Sequence, residues 1–168
     1  MIISLIGFMG TGKSTVGMEL AKRLDYQFID TDSEIKKEAD KEIKDIFADK
    51  GEKYFRKIET CVLEKLLRED TDLVLATGGG IVLSSKNREL LARKTEAFLL
   101  EASVEEIYKR VKNDKNRPLL DVEDPLLAIE KILMERKEYY NYFTKKINTD
   151  RYSVAEIVEM ILDRLEES

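Results

Sequence analysis

The segment GFMGTGKST, residues 7–15, places the strongest constraint on how this chain can fold. It fits the pattern G-x-x-x-x-G-K-[S/T] and directly follows an apolar run, Ile2 to Ile6, that predicts a β-strand. The residues after it carry apolar side chains at helical spacing: Val16, Leu20, Ala21 and Leu24. A strand that passes through a glycine loop into a helix is the context in which this pattern binds phosphate.

The chemistry of such a loop is that of an anion cradle. Glycines let the backbone turn tightly, so that successive N–H groups face one oxyanion. The helix that follows adds unpaired N–H groups and the positive end of its dipole. The Lys13 ammonium can reach β- and γ-phosphate oxygens, and the Ser14 hydroxyl can bind Mg²⁺. The sequence therefore predicts a phosphate site at this loop.

Composition narrows the class of protein. The chain has 168 residues, enough for one domain with a packed core, and 43% of them are hydrophobic. The formal net charge of −5 argues against a nucleic-acid partner held mainly by phosphate contacts. The absence of histidine excludes Ser-His-Asp and Cys-His catalysis and histidine-ligated zinc. Any chemistry must therefore use carboxylates, Lys, Arg, hydroxyls, backbone amides and a metal ion.

Cysteine usage and hydropathy add two expectations. The single cysteine, Cys61, excludes an internal disulfide, and its place among apolar residues at helical spacing predicts a small core residue. No apolar run reaches the roughly 18 residues of a membrane span, and no signal-like segment precedes the first strand. We expect a cytoplasmic protein without a membrane partner.

Strand-like and helix-like segments alternate along the chain, which predicts an α/β protein with a parallel sheet covered by helices on both faces. The predicted strands are Ile2–Ile6, Gln27–Ile29, Leu73–Ala76, Ala97–Leu100 and Lys146–Asn148. In such sheets ligands bind outside the carboxyl ends of the strands. Gly7, Asp30 and Gly78 come at the ends of predicted strands, so three candidate sites fall on one edge of the sheet.

Local signals mark helix ends. Ser103 and Ser153 each precede a glutamate by three residues, the spacing of a capping box, and Gly51 predicts the end of one helix before the next begins. Both prolines, Pro118 and Pro125, lie in KNDKNRPLLDVEDPL. We interpret this segment as a charged loop that ends at a helix start at Pro125, and a connection of this length is more often functional than not.

The segment FIDTD places Asp30 and Asp32 at the end of the second strand. Taken alone, an aspartate pair in this position most often caps the next helix. Beside a phosphate loop on the same sheet edge, we favour a different interpretation. A phosphoryl-transfer site needs an oxygen ligand for the metal shell and a group that holds or deprotonates the attacking hydroxyl.

Two further segments carry candidate binding groups. In GEKYFRKIE, Arg56 lies three residues before Glu59, and the pattern fits either an exposed helical ion pair or an arginine fork for a substrate carboxylate or phosphate. In LVLATGGGIVL, residues 78–80 are glycines after an apolar strand, which indicates close approach of the backbone to a ligand. Arg136 in ERKEYY has, by itself, the character of a surface charge.

Taken together, these segments resemble the shikimate kinase family. GFMGTGKST, FIDTD, FRKIE, TGGG, RPLL and ERKEYY occur in the family's order and spacing, and the match covers essentially the whole chain. The resemblance implies a phosphate-loop kinase fold whose five-stranded parallel sheet has the order 2-3-1-4-5. Within a single domain of residues 1–168 it implies an acceptor-binding subdomain at about 31–62 and a lid loop at about 112–125.

The implied reaction is transfer of the γ-phosphate of ATP to the 3-hydroxyl of shikimate, giving shikimate 3-phosphate in the chorismate pathway to aromatic amino acids. The family further implies a monomer with Mg²⁺ as the cofactor. Lys13, Asp32 and Arg117 would carry catalysis.

The resemblance implies a nucleotide site around the phosphate loop. The ATP phosphates would be held by Gly10, Thr11, Gly12, Lys13, Ser14 and Thr15. Ser14 would bind Mg²⁺ directly, and Asp30 would bind it through water. Arg117 in the lid would close over the phosphates, and Arg110 would lie against the adenine.

An acceptor site is implied beside it. Asp32 would contact ring hydroxyls, either as a base or as a group that orients the reacting hydroxyl. Arg56 and Arg136 would clamp the carboxylate. Backbone N–H groups would come from Gly78, Gly79 and Gly80, and an apolar wall from Phe47 and Phe55.

Two other classes of function stay open on the sequence. One is a related small kinase for gluconate or a nucleoside monophosphate, although a monophosphate acceptor calls for a larger arginine cluster. The other is an ATP-binding regulatory module without turnover. Such a module would not require Asp32 together with Arg117, because neither is needed merely to bind ATP.

Overall fold

The computed structural model describes residues 1–68, 71–113 and 122–167. Its strands form one sheet in the order β2-β3-β1-β4-β5, and every neighbouring pair is parallel. The strands are β1 Ile2–Ile6, β2 Gln27–Asp30, β3 Leu73–Ala76, β4 Glu96–Glu101 and β5 Lys145–Asn148. The predicted α/β class, strand positions and strand order are confirmed, with small extensions at the ends of β2, β4 and β5.

Helices cover both faces of this sheet. They are α1 Lys13–Leu24, α2 Thr31–Ala39, α3 Ile43–Leu66, α4 Ser85–Lys94, α5 Val104–Val111, α6 Pro125–Tyr140 and α7 Val154–Glu166. Strand β1 shows why two cores form: Ile3 and Leu5 belong to the cluster under α1 and α7, whereas Ile6 belongs to the cluster under α3 to α6. Successive side chains on a strand point to opposite faces, so both faces are buried.

Most of the predicted helix boundaries are present. Gly51 interrupts α3 with φ 78° and ψ 174°, which separates two helical pieces as predicted. Pro125 begins α6, and Ser153 forms a complete capping box with Glu156. The second capping box is only half formed, because the Ser103 N–H donates to Asp150 Oδ1 at 2.8 Å instead of to the glutamate side chain.

The prediction that Cys61 is a core residue is wrong, because its side chain is exposed. Helix α3 instead buries Phe55, Val62 and Leu63 along the neighbouring stripe. One residue is about 100° of rotation on a helix, so an error of one position in the assumed stripe moves a side chain from the core to the surface.

Part of the predicted lid falls outside the described residues. Arg117 and Pro118 lie there, so the role of Arg117 stays a prediction. The predicted acceptor subdomain, about residues 31–62, corresponds to α2 and most of α3, and its binding role likewise stays a prediction. Within the three described ranges, the structure has no helix long and apolar enough to cross a membrane.

Candidate active site

The loop between β1 and α1 has the backbone shape of an anion cradle. The φ angle is 74° at Gly10 and 95° at Gly12, values that residues with a Cβ rarely adopt. Thr11 is buried, and its hydroxyl donates to the Phe8 carbonyl at 2.9 Å, which closes the turn. Among the residues that the structure describes, no side chain caps the start of α1, and the N–H groups of its first turn point back toward the loop.

Lys13 is held over this loop by the loop's own backbone. Its side chain is buried, and Nζ donates to the Phe8 carbonyl oxygen at 2.7 Å. The ammonium is also close enough to the Asp32 carboxyl to oppose the rise in pKa that burial causes there. A positive charge is therefore fixed between the phosphate cradle and the end of β2.

Asp30 caps helix α2 and also contacts the phosphate loop, while its predicted binding of Mg²⁺ through water stays a prediction. Its Oδ1 accepts hydrogen bonds from the backbone N–H groups of Asp32 at 3.0 Å and Ser33 at 3.4 Å, which caps α2. Its Oδ2 accepts a hydrogen bond from the Ser14 hydroxyl at 2.9 Å. The cap therefore orients the aspartate so that its second oxygen reaches the phosphate loop.

Asp32 lies against the glycine run that follows β3. A Cβ at Gly78 would come within 2.6 Å of Asp32 Oδ1, so the close approach requires glycine. The Gly78 N–H donates to Thr31 Oγ1 at 3.0 Å, which ties this run to the start of α2. Burial raises the pKa of Asp32, and the Asp30 carboxylate adds to this effect, while Lys13 and Arg56 oppose it.

Arg56 approaches the glycine run after β3 from helix α3. Its Nη1 lies 2.9 Å from both carboxylate oxygens of Glu59, which is only 2% exposed. Burial raises the pKa of Glu59, and the Arg56 guanidinium opposes that shift. A Cβ at Gly80 would collide with the guanidinium. The Arg56 Nε is buried and has no hydrogen-bond partner in the part of the chain that the structure describes.

Arg136 approaches the glycine run from α6. Its Nη1 donates to the Gly79 carbonyl oxygen at 3.3 Å, and its guanidinium carbon lies 5.8 Å from the centre of the Phe8 ring. The Tyr140 hydroxyl donates to the same carbonyl at 2.7 Å, and burial raises the pKa of Tyr140 to about 12. Both candidate clamp arginines therefore contact residues 78–80 of the loop after β3.

Phe47 and Phe55, the residues predicted to form an apolar wall, pack against each other. The ring centroids of Phe47 and Phe55 lie 4.6 Å apart, and Phe55 is buried. The guanidinium carbon of Arg56 lies 5.1 Å from the centre of the Phe55 ring. The aromatic pair therefore borders the arginine that was predicted to hold a carboxylate.

Arg110 lies beneath the phosphate loop and makes several hydrogen bonds there. It donates to the Gly10 carbonyl oxygen at 3.1 Å and to the Thr149 hydroxyl and carbonyl oxygens at 3.0 and 2.9 Å. Its Nε donates to Glu106 at 2.9 Å. The predicted contact of Arg110 with adenine is not tested by these distances.

Sequence reasoning missed two residues of this site. Glu59 was noted only as a helical partner of Arg56, and its near-complete burial turns an ordinary surface pair into a buried one. Tyr140 drew no attention beyond its place in ERKEYY, although its hydroxyl fixes the Gly79 carbonyl. The apolar face of α3 could have indicated that Glu59 is buried. The contact between Tyr140 and Gly79 joins residues 61 positions apart, so no local sequence pattern could have indicated it.

Comparison with known proteins identifies one family. A family model described as shikimate kinase matches residues 9–166. The shikimate kinase of Pelotomaculum thermopropionicum is 44% identical over 165 residues, which cover 98% of this chain and 95% of that protein. A shikimate kinase from a Sulfurihydrogenibium species is 39% identical over 163 residues, which cover 97% of this chain and 96% of that protein.

The solved structures agree with the sequence comparison. The shikimate kinase of Acinetobacter baumannii, solved in complex with shikimate, superimposes with a TM-score of 0.92 at 38% identity. The superposition covers 99% of this chain and 93% of that protein. A likeness over nearly the full length of both proteins includes the sheet edge on which the residues described above converge.

Proposed function

The chain belongs to the shikimate kinase family, and on that premise we propose that it transfers the γ-phosphate of ATP to the 3-hydroxyl of shikimate, giving shikimate 3-phosphate. One observation carries the assignment of residues: the phosphate loop, Asp32 and Arg56 converge on the glycine run after β3. Phosphoryl transfer leaves little covalent work for the protein, so this alignment of charges around two substrates is sufficient machinery.

The nucleotide half of the site uses the loop and its lysine. Residues 10–15 bind the phosphates, and Lys13 exchanges the Phe8 carbonyl for β- and γ-phosphate oxygens. Arg110 lies against the adenine, and Arg117 closes over the phosphates from the lid.

The residues present fit a magnesium ion. Mg²⁺ prefers oxygen ligands and keeps several of its waters. The Ser14 hydroxyl and Asp30 Oδ2 are 2.9 Å apart, so both oxygens would face the same ion, with the hydroxyl as a direct ligand and the carboxylate in contact through water. When bound, the ion neutralises charge on the phosphates.

The acceptor half of the site uses two arginine guanidinium groups and the carboxylate of Asp32. Arg56 and Arg136 bind the carboxylate of shikimate, and the buried Nε of Arg56 supplies a donor that lacks a partner in the described protein. Asp32 accepts the hydroxyl proton or orients the hydroxyl. The N–H groups of residues 78–80 and the Phe47–Phe55 pair complete the acceptor site.

We also propose that the protein acts in the cytoplasm as a monomer, without nucleic-acid or membrane partners. The net charge of −5 supports the absence of a nucleic-acid partner, because nucleic-acid phosphates repel an acidic protein.

A coupled assay of ADP release tests the acceptor. We expect turnover with ATP, Mg²⁺ and shikimate, and little or none with gluconate or with nucleoside monophosphates. The paired arginines match a planar carboxylate better than a phosphate, which needs more positive charge. The Phe47–Phe55 pair matches the ring of shikimate better than the open, hydroxylated chain of gluconate. Turnover with gluconate or a monophosphate and none with shikimate would contradict the proposed acceptor.

Substitution of the clamp arginines tests the geometry of the acceptor site. Arg56→Lys and Arg136→Lys keep the charge and lose the fork, so each should weaken shikimate binding about ten- to a hundredfold. The Kd for ATP should stay nearly unchanged. Because both arginines would hold one carboxylate, the double variant should lose less free energy of binding than the sum of the single variants.

Two controls accompany the arginine variants. Arg23→Lys changes an exposed arginine that pairs with Glu159 at 2.6 Å, and it should leave shikimate binding unchanged. An acceptor whose carboxylate is replaced by a neutral amide should bind weakly to the wild type and be insensitive to both clamp substitutions. Equal losses for the amide and for shikimate would show that the arginines hold the fold and not the substrate.

A further inference from the structure

Two side chains from outside the phosphate loop hold the carbonyl groups on its underside. The Arg110 guanidinium, from α5, donates to the Gly10 carbonyl at 3.1 Å. The Thr149 hydroxyl, from the residue after β5, lies 3.2 Å from the Thr11 carbonyl. Arg110 also donates hydrogen bonds to Thr149 itself, at the hydroxyl oxygen and at the carbonyl oxygen. We call these two residues the Arg110–Thr149 bracket.

The hydrogen bonds of Thr149 determine where its hydroxyl proton goes. Thr149 is only 1% exposed, and its Oγ1 accepts from Arg110 at 3.0 Å. The hydroxyl proton must therefore point away from the guanidinium, toward the carbonyls of Thr11 and Glu101, each 3.2 Å away. Since the Glu101 carbonyl already accepts the Thr149 N–H at 2.8 Å, Thr11 is the carbonyl that depends on the hydroxyl.

Planarity of the peptide bond converts these contacts into a property of the cradle. A carbonyl and the N–H of the following residue point in opposite directions across a trans peptide. Fixing the Thr11 carbonyl on the underside therefore turns the N–H group of Gly12 toward the inside of the loop, while the Thr11 N–H, which follows the Gly10 carbonyl, donates to the Phe8 carbonyl at 3.4 Å. Inward N–H groups are what a phosphate chain requires.

We propose that Thr149, held by Arg110, is a positioning residue that sets the phosphate loop in its anion-binding conformation before the nucleotide arrives. This inference rests on the proposed ATP-binding role of the loop. It gives Arg110 a task beyond the contact with adenine expected from the family, and it gives Thr149 a task that the sequence did not suggest. Preorganisation of this kind improves affinity, because none of the free energy of binding is then used to order the loop.

The test is direct binding of ADP to the wild type and to Thr149→Val, with adenosine as a phosphate-free probe. Valine keeps the shape of threonine and removes the hydroxyl. The Kd for ADP should rise about three- to tenfold, which corresponds to the loss of one neutral hydrogen bond. The Kd for adenosine, and the Kd for shikimate measured without nucleotide, should not change. Thr149→Ser restores the hydroxyl and should recover most of the ADP affinity.

Controls separate this role from a purely structural one. Thr95→Val removes a hydroxyl that donates to the Leu91 carbonyl at 2.7 Å, near the start of β4, and it should not change the Kd for ADP. If Thr149→Val fails to fold, Thr149→Ala removes the same hydroxyl with a smaller side chain, and the Kd for ADP should again rise while the Kd for adenosine does not.

Two results would overturn the inference while sparing the proposed function. One is wild-type ADP affinity in a folded Thr149→Val protein. The other is an equal loss for ADP and adenosine, which would place Thr149 in the adenine site. Failure of the wild type itself to bind ADP would instead contradict the ATP-binding role of the loop.

Discussion

Replacing Lys13 with alanine is expected to nearly abolish turnover while leaving the fold intact. The ammonium is the positive charge that the structure fixes over the phosphate loop, through its 2.7 Å hydrogen bond to the Phe8 carbonyl. In the proposed mechanism, the ammonium neutralises charge between the β- and γ-phosphates as the bond breaks. Loss of one preorganised donor of this kind lowers kcat by about 10²- to 10³-fold, and loss of a full charge should reach the upper end.

The measurement for Lys13→Ala is steady-state kcat with saturating ATP and shikimate, together with a thermal unfolding curve. Lys22→Ala is the matched control, because Lys22 lies on the same helix α1 and is exposed. The control should retain wild-type turnover. A folded Lys13→Ala protein with normal kcat would remove the lysine from the mechanism and leave the loop as a binding element only.

The architecture could be predicted because its signals are local. The Ile2–Ile6 run, the glycine loop and the helical spacing after it lie within 24 residues, and they determine the first strand-loop-helix unit. The strand order 2-3-1-4-5 could not be predicted from such local signals. Nothing in a strand's own sequence says which strand will lie beside it, so the order came from the resemblance to a family and was then confirmed by the pairing.

The candidate site was predictable to the extent that its groups sit at strand ends. Asp30 and Gly78 were placed on one sheet edge from the sequence, and the structure brings the neighbouring Thr31 hydroxyl to within 3.0 Å of the Gly78 N–H. The choice between a helix cap and a site residue could not be made for Asp30 from the sequence, because one of its oxygens caps α2 while the other contacts Ser14 of the phosphate loop.

Errors arose where burial decides the role of a side chain. Cys61 and Glu59 are two residues apart on α3, and the cysteine is exposed while the glutamate is buried. The residue types alone predict the opposite, a buried cysteine and an exposed glutamate, since a small apolar thiol is usually buried and a carboxylate is usually not. The hydrogen bonds from Arg56 Nη1 to both carboxylate oxygens of Glu59 override that preference. Their geometry depends on the glycine run, which comes from a distant part of the chain.

Substitution of Asp32 by asparagine should lower the activity of the protein and raise its stability. Asparagine keeps the shape of the side chain and cannot accept the hydroxyl proton. If Asp32 acts as the base, kcat should fall by about 10²-fold or more. Binding of shikimate should change far less, because the clamp arginines and the glycine run remain. The measurement is kcat from the coupled assay, with the Kd for shikimate measured without nucleotide.

The same substitution should raise the stability of the protein without ligand or metal. Burial raises the pKa of Asp32, so the folded state binds its proton more tightly than the unfolded state does. The stability cost of the ionised carboxyl is therefore absent below the unfolded pKa, grows as pH rises toward the folded pKa, and is fully present above the folded pKa. Asparagine removes this cost, so Tm should rise at pH 7, and the difference should shrink in acid.

Asp25→Asn provides the matched control for both measurements. Asp25 is exposed at the end of α1 with φ 57°, a conformation that asparagine tolerates as well as aspartate does. It should change neither kcat nor the dependence of Tm on pH. An Asp32→Asn protein that keeps nearly full kcat would restrict Asp32 to orienting the hydroxyl, because phosphoryl transfer through a loose transition state needs little proton removal before the bond to phosphorus forms.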